Sequence, residues 1–417
     1  MSTAFHPAAV AALALALGTP HPPALAQERW VTSWYAAPQP AWDASFALPM
    51  NVPARLDDVT LRDTVRLSAG GGRIRLVFSN RYGHAPVRLG AVRVGPADGA
   101  GAGRPLTFAG LAAATILPGA AVMSDPVALP VAPLARLAVT TYLPAPTPVA
   151  SFHWGAQQTV RLAAGDATRA SVFTDTAHFG GRLFLSAVMV DADKPARTVV
   201  VLGDSITDGN GSTPDADRRW PDILADRLAP HGIAVANAGI SGARLARDGM
   251  GRSALARFEQ DVLGQPGVSD VIVLLGINDI GWPGSPFAPH EPAATLDELT
   301  TAYRQLVAQA HLRGVRVTAA TLPPFEGALA GTPYAGHYSP AKDALRRQFN
   351  DWIRTAGAFD AVADFDAVLR DPAHPGRLRA AFDSGDHLHP GDAGYRAMAA
   401  AIDAARLLAS PETPPLH

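Results

Sequence analysis

The sequence predicts an all-β sandwich or jelly-roll domain followed by an α/β domain built on a parallel sheet. Two observations carry this. From Trp30 to about Val190, short strand-like runs are separated by Gly and Pro, and no long helical period appears. From Thr198 onward, continuous β-branched runs alternate with helical segments, the pattern of a parallel sheet covered by helices. The length of 417 residues suits two domains at about 150 residues each.

In the first half the runs are Thr64–Ser68, Arg73–Ser79, Val87–Val94, Leu134–Leu143 and Arg182–Val190. In RIRLVFS, Ile74, Leu76 and Phe78 share one face of a strand. Gly70-Gly71-Gly72 between the first two runs predicts a hairpin turn. The domain is expected to span 27–190. Residues 191–197, including Asp193-Lys194-Pro195, read as a linker. The second domain is expected over 198–410, and 411–417 form a polar tail. Its strands are Thr198–Leu202, Ile233–Ala236, Asp270–Leu275, Val315–Thr321 and Ala361–Phe365. Helices are expected near Trp220–Leu228, Ala254–Leu263, Leu296–Arg313, Pro340–Ala356 and Ala393–Leu408.

Composition excludes several function classes. Lys plus Arg number 35 and Asp plus Glu 37, a formal net charge of −2, which argues against a nucleic-acid binder with a broad basic face. A hydrophobic content of 48% argues against a disordered acidic chain. No cysteine is present, so disulfides, thiolate nucleophiles and Cys-based metal sites are excluded. Residues Ala8–Leu17 form an apolar run shorter than the ~20 residues that span a bilayer. Ala24-Leu25-Ala26 follows, with small residues at −3 and −1, so residues 1–26 are expected to be a signal peptide cleaved after Ala26. The n-region carries only His6 in place of Lys or Arg. A secreted or periplasmic protein without a membrane span is the expectation.

Ligands of parallel α/β sheets bind beyond the carboxyl ends of the strands. Chemically capable residues stand there in order. After the first strand comes Gly203-Asp204-Ser205-Ile206-Thr207-Asp208-Gly209, with a serine at a strand-to-helix turn whose backbone N–H groups can hold an oxyanion. Gly203-Asp204-Ser205 is also ordinary turn or N-cap chemistry. After the second strand, Asn237-Ala238-Gly239-Ile240-Ser241-Gly242 offers Gly242, a bare N–H or a plain loop glycine. After the third, Gly276-Ile277-Asn278-Asp279 offers the Asn278 amide, or an Asx turn. Before the last helix stands Asp383-Ser384-Gly385-Asp386-His387-Leu388-His389-Pro390. A serine hydroxyl needs a base, and histidine oriented by a carboxylate is that base near neutral pH. Asp386 and His389 are three residues apart on one loop. The same loop has the residue types of a metal site, but no second ligand group with fitting spacing lies elsewhere.

In that order the blocks resemble the GDSL or SGNH hydrolase family over about Arg197–Leu408. The resemblance implies a flavodoxin-like three-layer parallel sheet. It implies Ser205 as nucleophile, with its own N–H, Gly242 N–H and the Asn278 side chain as oxyanion donors. It implies His389 as base and Asp386 as its partner, His387 being the wrong neighbour. Ile206 stands where the family name has Leu. In the first half, WVTSWYAAPQ, TLRDTVRLSAGGGRIRLVFSNRYG and FHWGAQQT resemble the β-rich domain that precedes the hydrolase in one group of secreted bacterial members.

The implied activity is hydrolysis of carboxylic esters with short acyl chains, such as acetyl groups on carbohydrates or small alcohols, without cofactor or metal. The partner is then a small-molecule or polysaccharide ester. Asp204, Trp282 and Phe287 are candidate pocket residues, the last two in the loop GWPGSPFAPHEP; Phe325, Tyr334, His337 and Tyr338 form a second candidate wall. Two other functions use the same sequence. One is a carbohydrate-binding or adhesion protein with a vestigial hydrolase domain, for which Trp30, Trp34, Trp42 and Trp154 are the candidate aromatics. The other is acyl transfer by the same three residues. No Walker-type glycine loop points to phosphate chemistry.

Overall fold

The computed structural model describes residues 28–99, 103–170, 172–192 and 196–409. The expected signal peptide and the tail lie outside the described residues, and the linker lies partly outside them.

The first half is strand-rich. Its main strands are β1 (Trp30–Tyr35), β2 (Val59–Arg66), β3 (Gly71–Ser79), β4 (Ala91–Pro96), β5 (Arg136–Leu143), β6 (Ser151–Ala164), β7 (Ala177–Leu183) and β8 (Leu185–Asp191). They form two antiparallel sheets. One runs β1-β8-β3, with Ala121–Met123 and Val127–Val131 along β3; the other runs β7-β6-β2-β5-β4. Alternation places Ile74, Leu76 and Phe78 of β3 in one core with Leu61 and Val65 of β2 and Val139 of β5.

The glycine triplet is not a hairpin turn. β2 and β3 belong to different sheets, and Gly71 already lies within β3. The chain crosses from one sheet to the other at 67–70, where Ser68 N–H donates to the Ser33 carbonyl (2.8 Å) and Leu67 N–H to that of Ala135 (2.9 Å). The pairing of β3 is taken instead by β8 and Val127–Val131. The expected run Val87–Val94 is likewise split, with Val87–Leu89 paired in a separate two-stranded ribbon.

The second half holds β9 (Arg197–Gly203), β10 (Ile233–Gly239), β11 (Val268–Leu274), β12 (Arg316–Ala320) and β13 (Ala361–Ala363), all parallel, in the order β10-β9-β11-β12-β13. Val199, Val200, Val201 and Leu202 are all fully buried, as a strand covered on both faces requires. The helices are α1 (Ser205–Asp208), α2 (Trp220–Leu228), α3 (Ala254–Phe258), α4 (Ile277–Gly281), α5 (Leu296–His311), α6 (Pro340–Thr355), α7 (Phe365–Leu369), α8 (Asp392–Ala401) and α9 (Ala404–Leu408). α5 starts on a capping box, Thr295 and Glu298 each bonding the other's backbone N–H. The expected helix 393–408 is broken at Ile402–Asp403, where Asp403 caps a new start. The expected helix 254–263 widens into a π turn over Glu259–Leu263.

The two halves share buried hydrogen bonds. Thr32 of β1 donates through its hydroxyl to Gln265 Oε1 (3.0 Å) and through its N–H to Thr198 Oγ1 (3.2 Å). Tyr35 donates to Asp261 Oδ1 (2.8 Å), on the π turn. Ser68 Oγ accepts from Val235 N (2.9 Å) and lies 3.0 Å from the Val235 carbonyl, in β10. Among the described residues no helix is long and apolar enough to cross a membrane.

Candidate active site

At the carboxyl end of β9 the chain turns directly into α1. Asp204 adopts an extended backbone and its Oδ1 accepts from Ile206 N–H (3.0 Å), so the helix starts at Ser205. Ser205 Oγ lies 2.8 Å from His389 Nε2, and His389 Nδ1 lies 2.6 Å from Asp386 Oδ2. The other Asp386 oxygen accepts the N–H groups of Leu388 (2.9 Å) and His389 (2.8 Å). The three-residue spacing is therefore one tight turn in which the loop backbone clamps the carboxylate that meets the imidazole.

Burial pushes the Asp386 carboxyl upward. The hydrogen bond and charge of His389 and the two backbone N–H groups outweigh it and hold Asp386 well below the usual carboxylate range. An ionised Asp386 only accepts, so Nδ1 of His389 carries the hydrogen and Nε2 offers its lone pair to the serine hydroxyl. His387 points elsewhere. Its φ of 61° is left-handed, and its Nδ1 meets Asp383 Oδ2 at 2.5 Å, in solvent. The two histidines thus take separate aspartates, and no cluster of three or more metal-ligating side chains occurs among the described residues.

Gly242 and Asn278 reach the same cleft from the ends of β10 and β11. Gly242 has φ 68°, and a Cβ there would stand 2.5 Å from Met250 Sδ and 3.0 Å from Trp282 Cζ2, so only glycine fits. Asn278 Nδ2 donates to the Ala243 carbonyl (3.0 Å), which leaves its second amide hydrogen free of that bond and ties α4 to the Gly242 loop. Below them the buried Arg257 guanidinium donates to the carbonyls of Gly203 (3.1 Å) and Ala238 (2.7 Å), holding the ends of β9 and β10 in register.

The cleft encloses about 170 Å³. Trp282 and Phe287 line it, stacked at 4.8 Å, and Tyr334 stacks on Phe287 at 4.8 Å. His337 lines it too. Neither ring nitrogen of His337 has a hydrogen-bond partner; burial, then the charges of Lys342 and His389, push it down to about 3, so it is neutral. Phe325 and Tyr338 do not line the cleft: Phe325 is fully buried in the core and Tyr338 packs against that core.

Two cleft residues, Leu48 and Trp154, come from the first half; Leu48 was not expected there, and Trp154 was a candidate only as an aromatic of the carbohydrate-binding reading. They are held by the segment around Trp42, whose indole donates to the Leu48 carbonyl (2.7 Å), and by Tyr334, which donates to the Ala47 carbonyl (2.7 Å). The four candidate tryptophans form no exposed platform. Trp34 is buried, Trp42 packs on Phe152, and Trp30 lies under Arg73 and Arg75.

Asp204 is also not a pocket residue. It is fully buried beneath Ser205, with Oδ2 unpartnered, and burial raises its carboxyl to about 7 from a usual 3.8. Below 3.8 both folded and unfolded chains keep the proton. As pH rises toward 7 the unfolded chain ionises first, so stability is lost across that window and no further above it. Asp204→Asn, which keeps the cap and cannot ionise, is expected to gain in melting temperature relative to wild type as pH goes from about 4 to about 7. A difference that stays constant with pH contradicts this.

The GDSL-like lipase/acylhydrolase family model matches residues 201–397. Solved structures similar to this chain include the native aryl esterase of M. smegmatis, at 17% identity over 51% of this chain and 100% of that one, with a TM-score of 0.41. A carbohydrate acetylesterase family member from Sinorhizobium meliloti is 17% identical over 51% of this chain and 98% of that one (TM-score 0.40). A GDSL-like lipase from Bacteroides thetaiotaomicron is 20% identical over 50% and 87% (TM-score 0.37). No curated protein matches the sequence.

Proposed function

We propose that this carboxylic ester hydrolase, whose residues 201–397 match the GDSL-like lipase/acylhydrolase family model, is a serine esterase that removes short acyl groups, such as acetyl, from carbohydrates or small alcohols. The observation that carries the mechanism is the unbroken row Ser205 Oγ, His389 Nε2, His389 Nδ1, Asp386 Oδ2.

Ser205 Oγ attacks the ester carbonyl carbon while its proton passes to His389 Nε2. The carbonyl oxygen becomes an oxyanion, held by the N–H groups of Ser205 and Gly242 and the Asn278 amide. Asp386 stabilises the imidazolium that forms. His389 then gives the proton to the leaving alcohol, the C–O bond breaks, and an acyl-serine remains. Water adds to that acyl group with His389 again as base, releasing the acid and restoring Ser205.

A cleft of about 170 Å³ walled by the Trp282–Phe287 stack supports a short acyl group. The same reading takes 27–190 as a β-sandwich or jelly-roll domain, supported by two antiparallel sheets on one core. It takes 191–197 as a linker and 198–410 as the catalytic domain with a flavodoxin-like sheet, supported by the strand order. It includes export after cleavage at Ala26.

Acid-quenching the enzyme during turnover of p-nitrophenyl acetate is expected to trap one acetyl group on the peptide carrying Ser205, read by mass spectrometry. Across p-nitrophenyl esters from acetate to octanoate, kcat/KM is expected to fall. An acetyl group trapped elsewhere overturns the nucleophile, and a rate that rises with chain length overturns the short-acyl assignment.

A further inference from the structure

A bulge in β6 presses the first half onto the candidate active site. The pairing of β6 with β7 skips from Trp154 to Thr159, leaving 155–158 out of register. Gly155 in that bulge has φ 69°, and a Cβ on it would stand 3.1 Å from Ser241 Oγ. Gln157 donates through Nε2 to Asn210 Oδ1 (3.0 Å), just past α1.

At the edge of the bulge stands His153, 4% exposed. Its Nδ1 lies 2.9 Å from the Ala37 carbonyl, which only accepts, so Nδ1 carries a hydrogen and donates it. Its Nε2 faces Asp208 Oδ1 at 3.0 Å, within hydrogen-bond distance. Asp208 ends α1, three residues after Ser205, and is buried. Its other oxygen accepts both the hydroxyl (2.7 Å) and the backbone N–H (3.1 Å) of Ser241. The next residue is Gly242.

We propose that His153 is a positioning residue for the oxyanion donors: through Asp208 it fixes Ser241, and with it the N–H of Gly242, relative to Ser205. This rests on the esterase reading above. The physical ground is that a buried carboxylate holds its geometry only if both oxygens are satisfied. Three donors converge on Asp208, two from the Gly242 loop and one from the other half of the chain. The Arg219 guanidinium is engaged by both oxygens of Asp222. Without His153, Oδ1 is left bare and the carboxylate is free to swing, taking Ser241 with it. The β domain is then part of the catalytic apparatus, not an appendage to it.

The two isosteric amides separate the two bonds of His153. Glutamine places its amide nitrogen near the Nε2 position, within reach of Asp208; asparagine places it near Nδ1, within reach of Ala37 only. With p-nitrophenyl acetate, His153→Asn is expected to lose about 10- to 100-fold in kcat with KM nearly unchanged, because a misplaced donor acts in the transition state. His153→Gln is expected to recover most of that loss. Equal kcat in the two variants, a reversed ranking, or a loss confined to KM overturns the proposal. If neither variant folds, Ser241→Ala decides, since it removes the hydroxyl that bonds Asp208 at 2.7 Å, with Asn210 Oδ1 a more distant partner at 3.2 Å: a fall in kcat of about tenfold supports the clamp, and an unchanged kcat overturns it. An inactive Ser205→Ala beside fully active His153 variants overturns this inference alone, whereas an active Ser205→Ala overturns both it and the reading beneath it.

Discussion

Ser205→Ala is expected to lower kcat on p-nitrophenyl acetate by on the order of 10⁴–10⁶-fold, with KM little changed and the fold intact. The size follows from what the hydroxyl does. In the proposed mechanism it forms the bond to the substrate, and it lies 2.8 Å from His389 Nε2, the proposed base. Alanine leaves the oxyanion donors in place, so residual turnover above that in water is expected from them. Stability should hardly move. The side chain is buried at the cleft floor, and its bond to His389 is worth about 1 kcal/mol. Kinetics and thermal melting on the same preparation check both halves of the statement. Wild-type-like turnover by a folded alanine variant ends the serine mechanism.

His389→Ala is expected to fall as far, by on the order of 10⁴-fold or more, while His387→Ala keeps activity within about threefold of wild type. The loop carries both histidines within three positions, and in the sequence only the resemblance, with its Asp-x-x-His spacing, favours His389. The backbone does. At His387 the left-handed conformation throws the side chain outward to Asp383, whereas His389 turns inward to Ser205 with Asp386 behind it. In the proposed mechanism, loss of His389 removes the acceptor for the serine proton, and it leaves the held carboxylate of Asp386 without its partner. Measuring kcat/KM for the two variants side by side decides the matter. Equal losses, or a larger loss at His387, would mean that the base has been misassigned.

How much of this was legible in the sequence depended on how local each signal is. The parallel strands announced themselves through runs such as TVVVL, because burial on both faces forces β-branched residues in succession. The residues at the strand ends followed from the rule that parallel sheets work at their carboxyl edge. Gly70-Gly71-Gly72 misled because turn chemistry says that the chain bends there, not which strand receives it. The break before α9 was written in Asp403, a capping residue inside what otherwise reads as one apolar helix. Trp282, Phe287, Tyr334 and His337 were legible as wall candidates from their loops, but the part of the wall that the first half supplies was not. Leu48 and Trp154 reach the Ser205 loop across long stretches of chain, and nothing in their neighbourhoods says which face they will meet.

The contact between Ser68 and Val235 bears on solubility. β10 is an outermost strand of the parallel sheet, and the outward N–H of Val235 donates to the Ser68 hydroxyl (2.9 Å), whose oxygen also lies 3.0 Å from the Val235 carbonyl. Open edges of sheets recruit strands from other molecules and seed aggregates. The strand-rich first half therefore covers part of the border that the parallel sheet would otherwise offer to its neighbours, and a truncated chain lacking that half would carry this stretch bare.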